Sequence, residues 1–450
     1  MMNKIAKQNI YFLGIGGIGM SALARYFHKK GCQVSGYDKT PSPLTRRLEE
    51  EGMTIHYEDN PSLIPDEVDF VVLTPAIPSD SLELNYLREK NVKIIKRAEV
   101  LGEISRHCKS IAVAGSHGKT TVTSMVTHLL KYSGKKMSAF IGGIAKNINS
   151  NVVIGDENDE LVVMEADEFD RSFLQLSPYL SIVTSIDADH LDIYGDKEQV
   201  VESFNQFVEK TASDGVVIHN NRLQIVTDRK RITYGLTDAD FMARNIRVED
   251  GATKFSVFAK EGRDYGEFMM HIYGEHNVMN ALSAIISCLC LNVDIEVIRE
   301  GLAEFKGVLR RFDIRLKNDK VCYIDDYAHH PEEIKASLRA ARMIFPDKEM
   351  TVIFQPHLFT RTRDFMEEFA DALSLADRLL LMEIYPAREK AISGITSSAL
   401  LEKISCKEKY ICQKEELLEM VKNIKPQLLL TMGAGDIDRF VPQLETLLDS

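Results

Sequence analysis

Apolar and polar positions along the chain follow two alternating rhythms. Residues 9–38, NIYFLGIGGIGMSALARYFHKKGCQVSGYD, open with a continuous apolar run and break at glycines. They resume with apolar residues at helical spacing and return to a short apolar run after Gly31. This predicts a buried strand, a glycine turn, a helix and a second strand ending at Asp38. VDFVVLTPAI and NVKIIKR predict further strands of the same parallel sheet, and this first segment closes near His107. A second segment begins at Ser110 with IAVAGSHGKTTVTSM, a strand, a turn and the start of a helix. ELVVMEAD and LSIVTSIDADH follow as strands that end in acidic residues. From about 214 to 274 the runs are shorter and alternating (GVVIHN, RITYG, TKFSVFAK), which predicts an antiparallel edge. GEHNVMNALSAIISCLC predicts a helix. After FKGVLRRFDIR a third segment alternates again through KVCYIDDYAHH, PEEIKASLRAARMIF, MTVIFQP, RLLLMEIY and QLLLTMGAGD to a final helix.

Strands and helices alternating in three series define an α/β fold class with three domains. The expected order is a Rossmann-like N-terminal domain (1–107), a central P-loop ATPase-type α/β domain (108–312) and a C-terminal Rossmann-like α/β domain (313–450). A chain of 450 residues exceeds what one hydrophobic core supports, in keeping with that division. The formal net charge of -12 argues against a protein held on nucleic acid or anionic lipid by its overall field. A local basic pocket for a small phosphorylated ligand stays open. The seven cysteines are scattered without a C-x-x-C pair, which reads as free thiols in a reducing compartment. No run of about 18 apolar residues spans a membrane and no secretory apolar region precedes the first strand, so a cytoplasmic protein without membrane insertion is expected.

The candidate chemistry sits at strand ends. Gly14, Gly16 and Gly19, with Gly17 among them, form G-x-G-x-x-G between strand and helix, and Asp38 ends the next strand. The pattern suits a pyrophosphate on a helix N-terminus with a carboxylate for a ribose hydroxyl. It equally describes a tight turn whose glycines only allow helix–strand packing, and it does not say which pyrophosphate. NAD and a nucleotide-diphosphate sugar both present one. The turn Gly115, Ser116, His117, Gly118, Lys119, Thr120, Thr121 resembles a phosphate-binding loop that is too short. The usual G-x-x-x-x-G-K-[ST] would put its first glycine at Val113. Even so, Lys119 can meet β/γ charge and the Thr120 hydroxyl can bind Mg²⁺, so ATP is the expected ligand. Glu165, Asp167, Glu168 and Asp170 end one strand, and Asp187, Asp189, His190 and Asp192 end another. Beside a P-loop, one or two of these eight are expected to hold Mg²⁺. In the third segment Asp325, Asp326, Tyr327, His329, His330, His357, Arg361 and Arg363 gather at or just beyond strand C-termini. A zinc site from the three histidines ranks below substrate contacts, because adjacent histidines leave a strand end in different directions.

Together, G-x-G-x-x-G, GSHGKTT, GEHNVMNALSAI, GVLRRFD, DDYAHHP, FQPHLFTRT and MGAGDI resemble the Mur ligase family, in order from about Ile10 to Ile437. The resemblance implies an ATP-dependent, ADP-forming ligase of peptidoglycan precursor synthesis. Its substrates would be UDP-N-acetylmuramate, L-alanine and ATP, with Mg²⁺ as cofactor and the chain acting as a monomer or homodimer. It implies that Gly14 to Gly19 hold the UDP moiety and that Gly115 to Thr121 cradle ATP. Thr120, Glu165 and His190 match metal positions, and Asn277 and Asn280 sit in the helix that lines the adenine. Arg311 and Asp326 match ATP contacts, and Tyr327, His329 and Arg361 match positions near the amino acid and the acyl phosphate. Lys119, His190, His329 and Arg361 are the implied catalytic residues, with His329 or a nearby carboxylate helping to deprotonate the ammonium. A water-excluding closure of the third domain would protect an acyl phosphate.

Two positions depart from the family pattern. Phe169 stands where many alanine-adding members have a small polar residue, which points to a relative that attaches a murein tripeptide to the same sugar nucleotide. The following RSFLQLSPYL lacks the basic stretch of that relative. Leu358 stands where some members have arginine, shifting weight to Arg361. An NAD-dependent oxidoreductase would leave the P-loop, the acidic strand ends and the third domain without a task. A motor-type P-loop protein would hydrolyse ATP without a muramoyl substrate.

Overall fold

The computed structural model describes residues 7–156, 160–187, 197–387 and 389–449. Among these residues three sheets carry the chain. The first comprises β1 (Asn9–Leu13), β2 (Gln33–Tyr37), β3 (Thr54–His56), β4 (Phe70–Leu73) and β5 (Ile94–Lys96), in the order β3-β2-β1-β4-β5. All its pairings are parallel. Helices α1 (Ile18–Lys29), α2 (Pro43–Glu50) and α3 (Leu82–Glu89) connect β1 to β2, β2 to β3 and β4 to β5, and α4 (Arg97–His107) leads from β5 to the second sheet. The order reverses between β1 and β4, which opens a crevice at their C-terminal ends, where the glycine turn lies.

Both faces of this sheet are buried. Ile10 and Phe12 point into one apolar cluster, and Tyr11 and Leu13 into another. The period-two alternation of a strand is therefore hidden behind a continuous apolar run, as a doubly covered parallel sheet requires. Burying each such side chain contributes roughly 1.5–3 kcal/mol.

The second sheet runs β15-β14-β13-β12-β11-β10-β6-β9-β7-β8. Its strands are β6 (Lys109–Ala114), β7 (Met137–Ala145), β8 (Ser150–Val153), β9 (Leu161–Glu165), β10 (Leu180–Val183), β11 (Val216–Asn220), β12 (Lys230–Gly235), β13 (Phe241–Glu249), β14 (Ala252–Ala259) and β15 (Asp264–Met270). β6 lies between β9 and β10, parallel to both, and leads into α5 (Lys119–Tyr132). The antiparallel edge expected from residue 214 onward begins differently. β11 is parallel to β10, and β12 is parallel to β11. Helix Lys197–Glu209 precedes β11 and supplies the crossover that a parallel neighbour needs.

The third sheet runs β16-β17-β21-β18-β19-β20, from β16 (Asp313–Lys317), β17 (Cys322–Asp326), β18 (Met350–Phe354), β19 (Arg378–Met382), β20 (Glu408–Cys412) and β21 (Leu428–Met432). Only β16 pairs antiparallel, as a hairpin with β17. The chain divides into two compact units. One comprises residues 1–246, 254–270 and 278–306, and the other residues 247–253, 271–277 and 307–450.

Candidate active site

The glycine turn after β1 is drawn onto β2. The amides of Gly14 and Ile15 donate to the carbonyl of Tyr37 at 2.8 and 3.0 Å. Gly14 has φ +84°, a left-handed conformation that glycine adopts without strain. Gly17 caps α1 with no side chain over the helix end. Asp38, expected at a ribose hydroxyl, is turned onto the turn itself, where its Oδ2 accepts from the Gly16 amide at 2.8 Å.

The short P-loop is laced to the end of β10. The Ser116 amide donates to the Ser185 carbonyl (3.1 Å) and the His117 amide to the Ser185 hydroxyl (2.9 Å). Thr184 donates its hydroxyl to the His117 carbonyl. Gly115, at φ +140°, must be glycine twice over: its backbone favours no side chain, and a Cβ would collide with the Thr184 hydroxyl. With two loop amides spent on β10, a phosphate cradle falls to the first turn of α5, whose amides have no intrahelical partner. Gly118, at φ +84°, caps that helix, and the space beside its Cα is filled by the Asn280 side-chain carbonyl.

Lys119 Nζ lies 2.6 Å from the Gly115 carbonyl and 2.9 Å from Glu168 Oε1. Burial works to lower its pKa, but Glu168, Asp167 and Glu165 outweigh it and leave the ammonium above its ordinary value. The lysine is therefore charged throughout the physiological range. Glu165 ends β9, and its Oε1 accepts from the Gly142 amide at 2.6 Å. Across the P-loop strand, His117 Nε2 lies 3.2 Å from Asp187 Oδ2, in the segment that follows β10. His190, Asp189 and Asp192 lie outside the described residues. Thr120, nearly buried in the first turn of α5, and Glu165 offer oxygen donors only, a set that fits a hard cation such as Mg²⁺. Among the described residues no group of three or more His, Cys, Asp or Glu side chains is arranged to hold a metal ion.

In the other unit Asn277 is buried in helix Glu275–Cys290 and donates to the Tyr273 carbonyl at 2.7 Å. Beyond β17, the Tyr327 ring lies under two guanidinium groups, Arg310 at 5.2 Å and Arg311 at 5.0 Å from its centroid. His329 meets the edge of the same ring at 5.1 Å, and its Nδ1 lies 2.9 Å from the Tyr327 carbonyl. A carbonyl only accepts, so Nδ1 carries the proton and Nε2 is the acceptor. Burial pushes His329 down to about 4. Glu333 opposes that fall and Arg361 adds to it. His357 lies 6.3 Å from His329, stacked on Tyr385, and burial also pushes it down to about 4. His330 diverges from its neighbour: it packs against Phe365 and caps helix Pro331–Ile344, whose Pro331 occupies the first turn. Asp326 is pushed up to about 6 by burial, against the Ser337 hydroxyl that donates to it. Arg361 is buried in the short helix Phe359–Asp364 that follows β18. Leu358, just before it, sits at φ +74°, a strained position for a non-glycine residue.

Two residues that took no part in the sequence motifs belong to this arrangement. Gly142 leaves room for the Glu165 carboxylate, which a Cβ would meet. Arg97 donates to Asp167 Oδ2 at 3.0 Å and reaches Gly19. Gly142 had no sequence signal. Arg97 had one, a cation at the start of a helix, where the macrodipole disfavours it.

A glycine turn on one parallel sheet, a shortened P-loop flanked by acidic strand ends on a second, and a Tyr-His-Arg cluster on a third define a nucleotide-dependent α/β protein. Models of the Mur ligase family, catalytic domain, the Mur ligase middle domain and the Mur ligase, glutamate ligase domain match residues 9–109, 113–288 and 310–435. The chain belongs to the Mur ligase family. It is 46% identical to the UDP-N-acetylmuramate--L-alanine ligase of Cytophaga hutchinsonii, over 99% of this chain and 98% of that protein. The crystal structure of UDP-N-acetylmuramate-alanine ligase from Thermotoga maritima superposes with a TM-score of 0.83 at 31% identity, covering 97% of this chain and 99% of that one. A murein peptide ligase from Psychrobacter arcticus shares the fold with a TM-score of 0.72 at 23% identity, covering 98% of each chain.

Proposed function

We propose that the chain joins L-alanine to the carboxyl group of UDP-N-acetylmuramate, converting ATP to ADP and phosphate, as a cytoplasmic enzyme of peptidoglycan precursor synthesis. The observation that carries this reading is full-length likeness to alanine-adding relatives together with a charged Lys119 at the head of α5. In this reading residues 1–107 bind the UDP-sugar, 108–312 bind ATP and 313–450 receive the amino acid.

A carboxylate is a poor acyl donor because oxide is a poor leaving group. In the first step a muramoyl carboxylate oxygen attacks the γ-phosphorus, the bond to ADP breaks, and an acyl phosphate forms. In the second, the free amine attacks the acyl carbon, and phosphate leaves from the tetrahedral intermediate, taking up the proton that the nitrogen loses. Lys119 and the amides of the first turn of α5 neutralise the transferring charge, and catalysis is mainly positioning and electrostatics. Thr120 and Glu165, with His190, would hold Mg²⁺, which would supply positive charge to offset that of the phosphates. Glu165 would then exchange a like-charge burden for a cation partner.

His329 takes a narrower part than general base. An imidazole held near 4 is neutral at pH 7 and keeps a proton poorly, so its Nε2 accepts a hydrogen bond from the amine and aims the lone pair. Arg361 and Arg311 would supply positive charge to the phosphoryl group.

The test is phosphate release from ATP and Mg²⁺ with UDP-N-acetylmuramate, adding L-alanine, glycine, L-serine or the murein tripeptide in turn. Release that requires the sugar nucleotide and is fastest with L-alanine supports the reading. Release only with the tripeptide moves the chain to that substrate and turns attention to Phe169. Release independent of the sugar nucleotide sinks it.

A further inference from the structure

Arg97 is the first residue of α4, directly after β5. A cation there opposes the helix dipole, so the position is unfavourable unless something compensates it. Its terminal nitrogens show what does. One donates to Asp167 Oδ2 at 3.0 Å. The other occupies the place that a Cβ on Gly19 would take. Gly19 is the second residue of α1 and has no left-handed backbone, so a side chain added there would meet no conformational barrier and would instead displace the guanidinium. The adjacent Lys96 forms a parallel pair with Asp170 at 3.6 Å.

The rest of α4 runs against the segment that carries these carboxylates. Gly102 packs on the Gln175 carbonyl, and Ser105 Oγ accepts from the Ser177 amide at 3.0 Å. Glu168, next to Asp167, holds Lys119. α4 is thus a strut with its head at the glycine turn and its flank on the acidic segment beside the P-loop. The N-termini of α1 and α4 and the guanidinium together make the positive side of the turn.

We infer that Arg97 is a substrate-binding and positioning residue: its fork receives a phosphoryl oxygen of the sugar nucleotide's diphosphate on one side while Asp167 anchors it on the other. The inference rests on the reading that residues 14–19 hold that diphosphate. The planar fork suits two partners at once, which an ammonium does not. The benefit is kinetic. The reacting carboxylate lies far along a flexible substrate from its diphosphate, and fixing the diphosphate relative to the acidic segment raises its effective concentration at the γ-phosphate.

The test compares the full-length parent with Arg97→Ala, Arg97→Lys and Asp167→Asn. UDP-N-acetylmuramate is titrated calorimetrically without ATP, and KM is measured for each substrate. Arg97→Ala is expected to weaken sugar-nucleotide binding by about tenfold or more, the scale of a lost charge-assisted hydrogen bond, and to raise that KM alone. Arg97→Lys, which keeps the charge without the fork, should fall between the two. Asp167→Asn should move the same KM in the same direction, and the double variant should be no worse than Arg97→Ala. Binding like the parent by Arg97→Ala overturns the inference, and so does a joint rise of the sugar-nucleotide and ATP KM values, the mark of a structural role. Should Arg97→Ala not fold, Arg97→Lys is judged by the same two criteria. A parent chain that binds no UDP-N-acetylmuramate would refute the underlying reading, and this inference with it, before any variant is made.

Discussion

Lys119 Nζ lies 2.9 Å from Glu168 Oε1, so the cation that faces phosphate in the proposed reaction is held by a nearly buried carboxylate. The two act on the lysine in the same electrostatic sense, and it must exchange one for the other. Lys119→Ala is expected to lower kcat by about 10²–10³, the scale for removing one preorganised donor from a charge-stabilising site. Glu168→Gln removes the competing charge, and calorimetry with ATP should show several-fold tighter binding. Weaker binding would mean that the Glu168 carboxylate serves the metal or another partner instead.

Gly142→Ala tests the metal assignment without touching a ligand. The backbone there tolerates alanine, but the new methyl meets the Glu165 carboxylate. Displacing the amide that orients Glu165 should cost about 10- to 100-fold in turnover at limiting Mg²⁺, with partial recovery as Mg²⁺ is raised. Equal losses at all Mg²⁺ concentrations would detach Glu165 from the metal.

Glu83 is fully buried on α3. The Tyr11 hydroxyl lies 2.6 Å from Glu83 Oε2 and 2.8 Å from His56 Nε2, while His56 Nδ1 lies 2.9 Å from the Glu58 carbonyl. Burial holds His56 below its ordinary pKa. The Tyr11 hydroxyl donates to Glu83 Oε2 and the Asn60 amide donates to Oε1 at 3.0 Å, and both favour the carboxylate. Burial outweighs them and pushes Glu83 from 4.5 up to about 7. Because the folded carboxyl lies above its unfolded value, the folded state binds more protons between those limits and loses stability as pH rises through them. Glu83→Gln is expected to melt progressively above the parent from pH 5 to pH 8, by an amount on the order of 3 kcal/mol. A constant difference across that range would remove the assignment.

His329 has the opposite sign. Its folded value of about 4 lies below the ordinary 6.5, so the unfolded chain binds more protons in that window. The stability it contributes is present above pH 6.5 and is lost as pH falls towards 4. His329→Gln should therefore gain on the parent in melting temperature as the medium is acidified through that window. Its turnover should drop, while any acidic limb of the parent's kcat profile near pH 6.5 stays in place, since His329 does not titrate there.

The three α/β series, the glycine turn, the P-loop with Lys119 and the cluster DDYAHH were legible in the residues themselves. Each is a contiguous stretch whose backbone needs, a glycine at a turn or an apolar run before it, are written locally. The tertiary structure decided what those stretches do to one another. Alternation in GVVIHN does not tell a parallel neighbour from an antiparallel one, because the strand's partner is chosen by the crossover that helix Lys197–Glu209 makes. Gly19 reads as a packing glycine until Arg97, far along the chain, is seen to occupy its missing side chain. Tyr11, His56 and Glu83 look like unrelated residues until three separate elements place them within hydrogen-bonding reach. Local conformational preference acts over a few residues and leaves its mark on adjacent positions. Burial, charge pairing and pKa depend on which distant side chains arrive, and only the folded chain brings them together.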